Sequence, residues 1–325
     1  MVASEWGGSL PIEVMIRPQE LFSGFACLPV NSGRSAIYAA CLNMGVSEVW
    51  LPYYLCPTVR DFLQVQRITV REYHIDDDYL PLLDGVADNA ALVWTNWFGA
   101  MGPERKQAVA EAFGERLIID NCHAFFERPM PGIHNVYSCR KFLGVPQGAF
   151  LVTDSPIMGF QDWEVSIDSS YEYLQIASKE GSNKAYPLYL THEEGFAFRF
   201  GKMDPLVQAA IAGVDMEAIK AARSENLQAL RKHLSQYELP SVDKAAPYPV
   251  WFPLYVKDDD LRDRLIESRI FVPRLWKRIL SMDDATPRER SLARYLFPLP
   301  IVQRYSVKDM DSLAHRVMDL IGWRS

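Results

Sequence analysis

The 325-residue sequence contains no apolar run that approaches the roughly 18 to 20 residues needed to cross a bilayer. Its first residues, MVASEWGGSLPIE, include an early Glu5 and lack the apolar core of a signal peptide. Basic residues are in the minority, with 34 Lys and Arg against 41 Asp and Glu, and they are scattered along the chain. These absences argue against membrane and nucleic-acid partners and favour a cytoplasmic protein.

Cysteine is also scarce, and no two cysteines form a C-x-x-C pair. The five cysteines are widely spaced, at Cys27, Cys41, Cys56, Cys122 and Cys139. An odd number at such spacings indicates neither a disulfide framework nor a zinc site, and we expect no metal. Reduced, mostly buried thiols are the simplest interpretation.

The composition is that of a folded protein. Hydrophobic residues make up 49% of the chain and charged residues 23%, which excludes disorder, collagen and coiled coil. A chain of this length usually forms two domains, or one large domain with an appendage. No internal repeat or low-complexity segment is visible.

The first two-thirds of the chain alternate between apolar strands and amphipathic helices, which is typical of a parallel sheet covered by helices. Strands are predicted at 48–51, 67–73, 90–95, 116–119, 136–138 and 149–153, and helices at 35–44, 58–64 and 103–113. A long helix is predicted over 205–235. We therefore predict a large, mostly parallel α/β domain over residues 1–236, including an N-terminal arm.

Beyond residue 239 the pattern changes to short strands and helices. Strands are predicted at 250–256 and 270–273, and helices at 260–268 and 307–321. This pattern predicts a smaller α+β domain over residues 237–325. Residues 183–190 are expected to form an ordinary connecting loop, with a mobile lid as the alternative.

Three groups near strand and helix ends could carry chemistry. Asp120 follows the apolar run 117–119, so its carboxylate emerges at the end of a buried strand and needs a cationic partner. Lys141 follows the next strand in a loop rich in Gly and Pro, and a lysine held near an apolar sheet suits a Schiff base. The segment 31–35, NSGRS, precedes a helix and could hold a phosphate, although such residues are more often helix caps.

Six segments in order resemble the DegT/DnrJ/StrS family of pyridoxal-phosphate aminotransferases over about the whole chain. They are NSGRSAIYAACLNMGVSEVWLPYY, VWTNWFGAMG, LIIDNCHAFFE, VYSCRKFLGVPQGAFLVTD, GFAFRFGKMDPLVQAAI and LFPLPIVQRYSVKDMDSLAHRV. The resemblance implies pyridoxal-phosphate fold type I, as in aspartate aminotransferase, with the cofactor pyridoxal 5′-phosphate. It also implies a homodimer and a role in sugar or polysaccharide biosynthesis.

The family's functional residues transfer to matching positions. Asp120 would pair with the pyridine nitrogen and keep the ring an electron sink, and Lys141 would form the internal aldimine and move protons. Ser138 would bind the phosphate together with Ser32, Gly33 and Arg34. His123 would contact the ring face or its 3-oxygen, a structural histidine being the alternative.

Weaker matches extend the candidate site. Asn96 matches a polar position that lines the family's site, with turn capping as the alternative. Arg199 matches a segment near the site of the dimer mate, with a surface salt bridge as the alternative. Arg274, or Arg199 from a partner subunit, could clamp the donor carboxylate. The family's stacking aromatic is replaced by Cys56, so the ring face would be covered by Tyr53 or Tyr54, or lined by the thiol.

The leading functional hypothesis is an aminotransferase that moves an amino group from an amino acid, L-glutamate being expected, to a keto substrate such as a keto sugar. A lyase or desulfurase-like enzyme with the same cofactor is one alternative, and a non-catalytic ligand-binding descendant is another. Lys141 argues against the dehydratase branch, which has histidine there. The loop after Lys141 departs from the family pattern, with Pro-Gln-Gly-Ala at 146–149. The family's nucleotide-sugar acceptor therefore cannot be assigned to this chain from the resemblance.

Overall fold

The computed structural model describes residues 21–83, 85–167 and 171–322. The predicted N-terminal arm, in residues 1–20, lies outside these residues. The first half of the chain builds one seven-stranded sheet. Its strands are β1 Ala26–Val30, β2 Glu48–Pro52, β3 Thr69–Tyr73, β4 Ala90–Thr95, β5 Leu117–Asp120, β6 His134–Ser138 and β7 Ala149–Thr153.

The sheet has the strand order β1-β7-β6-β5-β4-β2-β3. Strands β3, β2, β4, β5 and β6 run parallel to one another, whereas β7 is antiparallel to both β6 and β1. The carboxyl ends of the central parallel strands therefore meet at one edge of the sheet. In sheets of this kind, ligands bind at that edge.

Both faces of the main sheet are buried, and β4 illustrates this. Ala91 and Val93 pack in the cluster that contains the first two helices, while Leu92 and Trp94 pack in the cluster on the other face. Successive side chains of a strand point to opposite faces, so the continuous apolar run in β4 is what a strand covered on both sides requires. The α/β class predicted from the sequence is confirmed.

Ten α-helices are assigned within the described residues. They are α1 Gly33–Met44, α2 Pro57–Val65, α3 Gly102–Phe113, α4 Glu172–Glu180, α5 Ser182–Phe196, α6 Pro205–Ala212, α7 Met216–Leu234, α8 Leu261–Glu267, α9 Pro287–Tyr295 and α10 Val307–Gly322. None of the helices in the described part is long and apolar enough to cross a membrane.

A second sheet forms late in the chain from two antiparallel strands, β8 Trp251–Tyr255 and β9 Leu296–Pro300. Its core cluster contains side chains of β8, β9, α8 and α10. It also includes Leu227, Leu230 and Leu234 of α7, so this core recruits residues on the N-terminal side of position 236. The domain boundary between residues 236 and 237 stays a prediction.

Three local predictions were wrong. The predicted helix 205–235 is two helices, because the chain breaks after Ala212 and Asp215 caps α7 by accepting a hydrogen bond from the Ala218 amide at 2.9 Å. The predicted strand 270–273 is irregular, since β8 pairs with β9 instead. Residues 183–190, expected to be a loop, lie inside α5.

Candidate active site

The ends of three neighbouring strands bring polar side chains to one edge of the main sheet. Thr95 ends β4 and pairs in register with Asp120, which ends β5. Ser138 ends β6, the next strand along the sheet. All three residues are buried. The parallel register therefore gathers a hydroxyl, a carboxylate and a second hydroxyl at adjacent positions.

A cavity of about 170 Å³ lies at this edge of the sheet. The structure brings eight residues predicted from the sequence together in its wall: Ser32, Gly33, Arg34, Cys56, Asp120, His123, Ser138 and Lys141. Lys141 lines the cavity, although its side chain is exposed to solvent in the single chain. The wall also contains residues that were not predicted, of which Arg140, Trp251 and Trp276 matter most below.

Helix α1 begins at the cavity. Ser32 is its N-cap, and the Ser32 hydroxyl accepts a hydrogen bond from the Ser35 amide at 3.2 Å. The hydroxyl of Ser35 donates to the Asn31 side chain at 2.6 Å. At Gly33 an added Cβ would come within 2.7 Å of the Cys122 sulfur, so any other residue would require that sulfur to shift. The first turn of α1 thus presents free amides and its positive end to the cavity.

The Asp120 carboxylate is fixed by the residues that follow it. Its Oδ1 atom accepts a hydrogen bond from the Cys122 amide at 2.9 Å. Burial, reinforced by the negative charge of Asp120, raises the pKa of the Cys122 thiol well above its usual range. Cys122 is therefore a neutral thiol beside the carboxylate.

His123 is a neutral imidazole with a defined tautomer. Burial, together with the charge of Lys141, lowers the pKa of His123 well below its usual value. Its Nδ1 atom accepts a hydrogen bond from the Phe98 amide at 3.2 Å. The proton of the neutral ring therefore sits on Nε2, which makes His123 a hydrogen-bond donor at that atom.

Two arginines give the cavity a positive wall. The Arg140 guanidinium forms an ion pair with Glu193 of α5, and Arg34 donates a hydrogen bond to the Thr58 hydroxyl at 3.1 Å. Burial lowers the pKa of Arg34. Burial also acts to lower the pKa of Arg140, but the negative charge of Glu193 outweighs it, so the pKa of Arg140 is raised. With Lys141, three cationic side chains and one acidic side chain, Asp120, line the cavity. This excess of positive charge suits an anionic ligand.

Three residues predicted to contact the cofactor lie outside the wall. Tyr54 is fully buried behind Trp276, with their rings edge to face at 4.7 Å. Tyr53 stacks on His74 at 4.1 Å instead of facing the cavity. The Asn96 side chain donates a hydrogen bond to the Asn121 side chain at 3.1 Å and accepts one from the Met101 amide at 3.2 Å, so it holds the turn after β4. Of the three residues proposed to contact the cofactor ring, Tyr53, Tyr54 and Cys56, it is Cys56 that lines the cavity.

The two arginines predicted to clamp a substrate carboxylate are also outside the cavity of the single chain. Arg199 is exposed, and its backbone carbonyl accepts a hydrogen bond from the Asn31 side chain at 3.2 Å. Arg274 is exposed near Arg262. Neither arginine lines the cavity wall.

The sequence analysis missed three important residues of the cavity wall, and these come from two parts of the chain. Arg140 immediately precedes Lys141, and this adjacency to the candidate lysine was a usable signal. Trp251 and Trp276 belong to the C-terminal part of the chain and approach His123, with Trp251 edge-on at 5.0 Å and Trp276 parallel at 6.2 Å. No local pattern indicates these two contacts, because they depend on how β8 and the following segment pack against the main sheet.

The fold and the cavity define a class of α/β proteins with a mostly parallel seven-stranded sheet and a site at its carboxyl edge. No protein-family model and no curated protein matches the sequence. Solved structures do match it, and they have pyridoxal-phosphate fold type I. That predicted fold class is therefore confirmed.

Three of these structures span nearly all of the chain. DesV from S. venezuelae, solved with a ketimine intermediate, is 19% identical with a TM-score of 0.61, covering 92% of this chain and 85% of its own. PseC from Helicobacter pylori is 12% identical, with a TM-score of 0.65 and coverage of 93% and 88%. A DegT DnrJ EryC1 StrS aminotransferase from Brucella abortus is 15% identical, with a TM-score of 0.58 and coverage of 91% and 86%. The chain thus shares the fold of the DegT/DnrJ/StrS aminotransferases, as the sequence resemblance predicted.

Proposed function

We propose that this protein is a pyridoxal-phosphate-dependent aminotransferase that takes an amino group from an amino acid, L-glutamate in our expectation, and transfers it to a keto substrate. One observation carries the proposal. Asp120, Ser138, Lys141 and the first turn of α1 line a single cavity at the carboxyl edge of the main sheet. The fold is shared with solved structures described as sugar aminotransferases, among them CalS13 from Micromonospora echinospora, and this supports a keto sugar as the acceptor.

The residues present fit the cofactor. Its phosphate would bind at the first turn of α1 and at Ser138, with Arg34 adding a fixed positive charge. The Thr95 hydroxyl lines the cavity, and it is buried with no partner within the described part of the chain. A bound ligand could satisfy this hydroxyl. When bound, the cofactor supplies an aldehyde and an electron-withdrawing ring.

The protein's own groups then have distinct roles. Lys141 would hold the cofactor covalently and, once its amine is released, carry a proton to and from the substrate. Asp120 would hold a proton on the ring nitrogen through an ion pair. His123 would donate a hydrogen bond from Nε2, and the two tryptophans, Trp251 and Trp276, would exclude water from the reacting atoms.

We also propose that the active form is a homodimer. Five large apolar side chains within residues 186–200 are exposed in the single chain: Tyr186, Tyr189, Leu190, Phe198 and Phe200. Large exposed apolar side chains concentrated in one short segment favour a protein partner. Arg199 lies between two of these residues, so a second copy could receive its guanidinium. Sedimentation equilibrium tests the dimer, and Phe198→Asp should shift it towards monomer.

The test of the function is an absorption spectrum of the purified protein with pyridoxal phosphate, followed by L-glutamate. The expected result is a new visible band on cofactor binding, which glutamate then bleaches. A band that glutamate leaves unchanged would direct the search to another donor or to the lyase alternative. If no band forms and no cofactor stays bound, the non-catalytic alternative replaces the proposal.

A further inference from the structure

Arg140 is a cavity residue to which the roles above assign no task. It lies next to Lys141 in the chain, and both line the same cavity. Glu193 of α5 forms an ion pair with its guanidinium, which also lies 5.1 Å from the centre of the Phe196 ring. The Nε atom of Arg140 is buried without a hydrogen-bond partner among the residues that the structure describes.

A second guanidinium shares this environment. Arg34 lies 5.7 Å from the same Phe196 ring and donates to the Phe196 carbonyl at 3.4 Å. Burial is the main cause that lowers the pKa of Arg34, Glu193 opposes it and the charge of Arg140 adds to it. Glu193 forms its ion pair with Arg140, so one carboxylate lies near two guanidiniums and the pair retains positive charge that an incoming anion can balance.

The two arginines are held from different sides. Arg34 belongs to the first turn of α1 and bonds Thr58 of α2, which places it with the proposed phosphate-binding groups. Arg140 is held by α5 and borders Lys141, which would anchor the cofactor. A guanidinium presents paired N–H groups that match a carboxylate, whereas a lysine at this position would present a single point charge.

We infer that Arg140 binds the carboxylate of the amino donor and sets the preference for amino acids over simple amines. This inference rests on the proposed aminotransferase function and deepens it. It also replaces Arg274 as the clamp supplied by the same chain, whereas Arg199 was expected to act from a second subunit. Glu193 is then a positioning residue, since it orients Arg140 without touching the substrate.

The experiment compares Arg140→Met with the matched variant Arg34→Met. Loss of a hydrogen bond to a charged group should weaken binding by roughly 10- to 100-fold. The donor preference is the half-reaction rate with L-glutamate divided by that with 4-aminobutyrate, which is glutamate without its α-carboxylate. Arg140→Met should lower this preference by about that factor, and Arg34→Met should leave it unchanged.

The cofactor preference should show the opposite pattern. Affinities for pyridoxal phosphate and for pyridoxal, which lacks the phosphate, are measured from the change in tryptophan fluorescence on binding, since two of the eight tryptophans, Trp251 and Trp276, line the cavity. Arg34→Met should reduce the advantage of the phosphorylated form, whereas Arg140→Met should not. If Arg140→Met reduces that advantage, Arg140 is part of the phosphate site and the inference is wrong.

A third measurement needs no bound cofactor. Glutarate is titrated into cofactor-free protein in saturating inorganic phosphate, which blocks the phosphate site. Glutarate should bind the wild type and bind Arg140→Met at least about 10-fold more weakly. Equal binding would overturn the inference, and it would do so whether or not the protein uses pyridoxal phosphate.

Arg140→Met leaves Glu193 without its partner and could disturb folding. Arg140→Lys keeps the positive charge for Glu193 but removes the paired N–H groups, so it is the folded comparison. We expect it to retain cofactor affinity and to lose most of the donor preference. A full donor preference in Arg140→Lys would show that Arg140 serves only to hold α5, and the inference would fail.

Discussion

At the scale of single residues, the chemistry depends first on Lys141. Its replacement by alanine should abolish the covalent cofactor adduct that borohydride traps, because no amine would remain at that place in the cavity wall. Mass spectrometry of the peptides checks this result. Lys184→Ala is the control, since Lys184 is exposed on α5 and lies outside the cavity wall. An adduct that persists in Lys141→Ala would identify another lysine as the anchor.

Asp120 can be changed with little disturbance of its surroundings. In Asp120→Asn the side-chain carbonyl can still accept the Cys122 amide, which the carboxylate now binds at 2.9 Å. The negative charge that would hold a proton on the ring nitrogen is lost. We expect cofactor binding to persist and turnover to fall by about 10²- to 10⁴-fold. Near-normal kcat would refute the electrostatic role of Asp120.

His123 predicts a pH dependence of stability. Burial lowers the pKa of His123 in the folded protein. Below the pKa of about 6.5 that a histidine has in the unfolded chain, the unfolded chain therefore binds a proton that the folded chain does not bind. The free energy of unfolding should therefore fall as pH drops below that value, with a limiting slope of about 1.4 kcal/mol per pH unit for one group.

Urea unfolding of wild type and His123→Gln between neutral pH and about pH 5.5 measures this contribution. The substitution should make the loss of stability shallower over that window. His134, whose pKa burial also lowers, keeps its own contribution in both proteins. His315→Gln, at an exposed position on α10, is the control. Parallel pH profiles for wild type and His123→Gln would contradict the assignment of a buried neutral imidazole.

At the scale of elements, the start of α1 is fixed by its contact with the segment after β5. A Cβ at Gly33 would lie 2.7 Å from the Cys122 sulfur, so Gly33→Ala should cost about 1 to 3 kcal/mol by overpacking. Removing the sulfur in the double variant with Cys122→Ala should recover most of that loss. A double-mutant cycle on urea unfolding measures the coupling. Additive losses would show that the contact is unimportant.

The same scale shows what sequence reasoning could reach. Six of the seven strands in the main sheet were predicted, because each carries an apolar run bounded by turn residues. Strand β1 was missed because Pro29 interrupts its pattern. Proline is tolerated there since β1 is the edge strand of the sheet, with β7 as its neighbouring strand and an isolated bridge joining Val30 to Lys202. The pairing across the sheet, rather than local preference, makes this segment a strand.

At the scale of the whole molecule, the candidate site joins residues from distant parts of the sequence. Strand ends and the first turn of α1 were predictable, since their place at the carboxyl edge follows from parallel topology. The wall formed by Trp251 and Trp276 was not, because it requires the C-terminal part of the chain to dock on the main sheet. Tyr54 was misplaced for the same reason, as it lies behind Trp276.

Glu289 of α9 helps to hold the C-terminal part of the chain against the main sheet, and this role can be tested. Its side chain is fully buried, bonds His74 at 2.9 Å and accepts the Ile75 amide at 3.2 Å, just beyond β3. Glu289→Ala should reduce the free energy of unfolding by roughly 2 to 4 kcal/mol, since it leaves buried donors unpaired. The control is Glu217→Ala, whose exposed pair with Lys220 should be worth less than about 1 kcal/mol.

The two variants should also differ in ligand binding. Leu275 and Trp276 line the cavity, and they pack in the same core cluster as residues of α9 and the main sheet. Loosening α9 should therefore open this wall and weaken cofactor affinity in Glu289→Ala, whereas Glu217→Ala should bind as the wild type does. If Glu289→Ala loses stability but keeps full affinity, contacts other than the α9 anchor hold the wall in place, and closure of the cavity is independent of this docking.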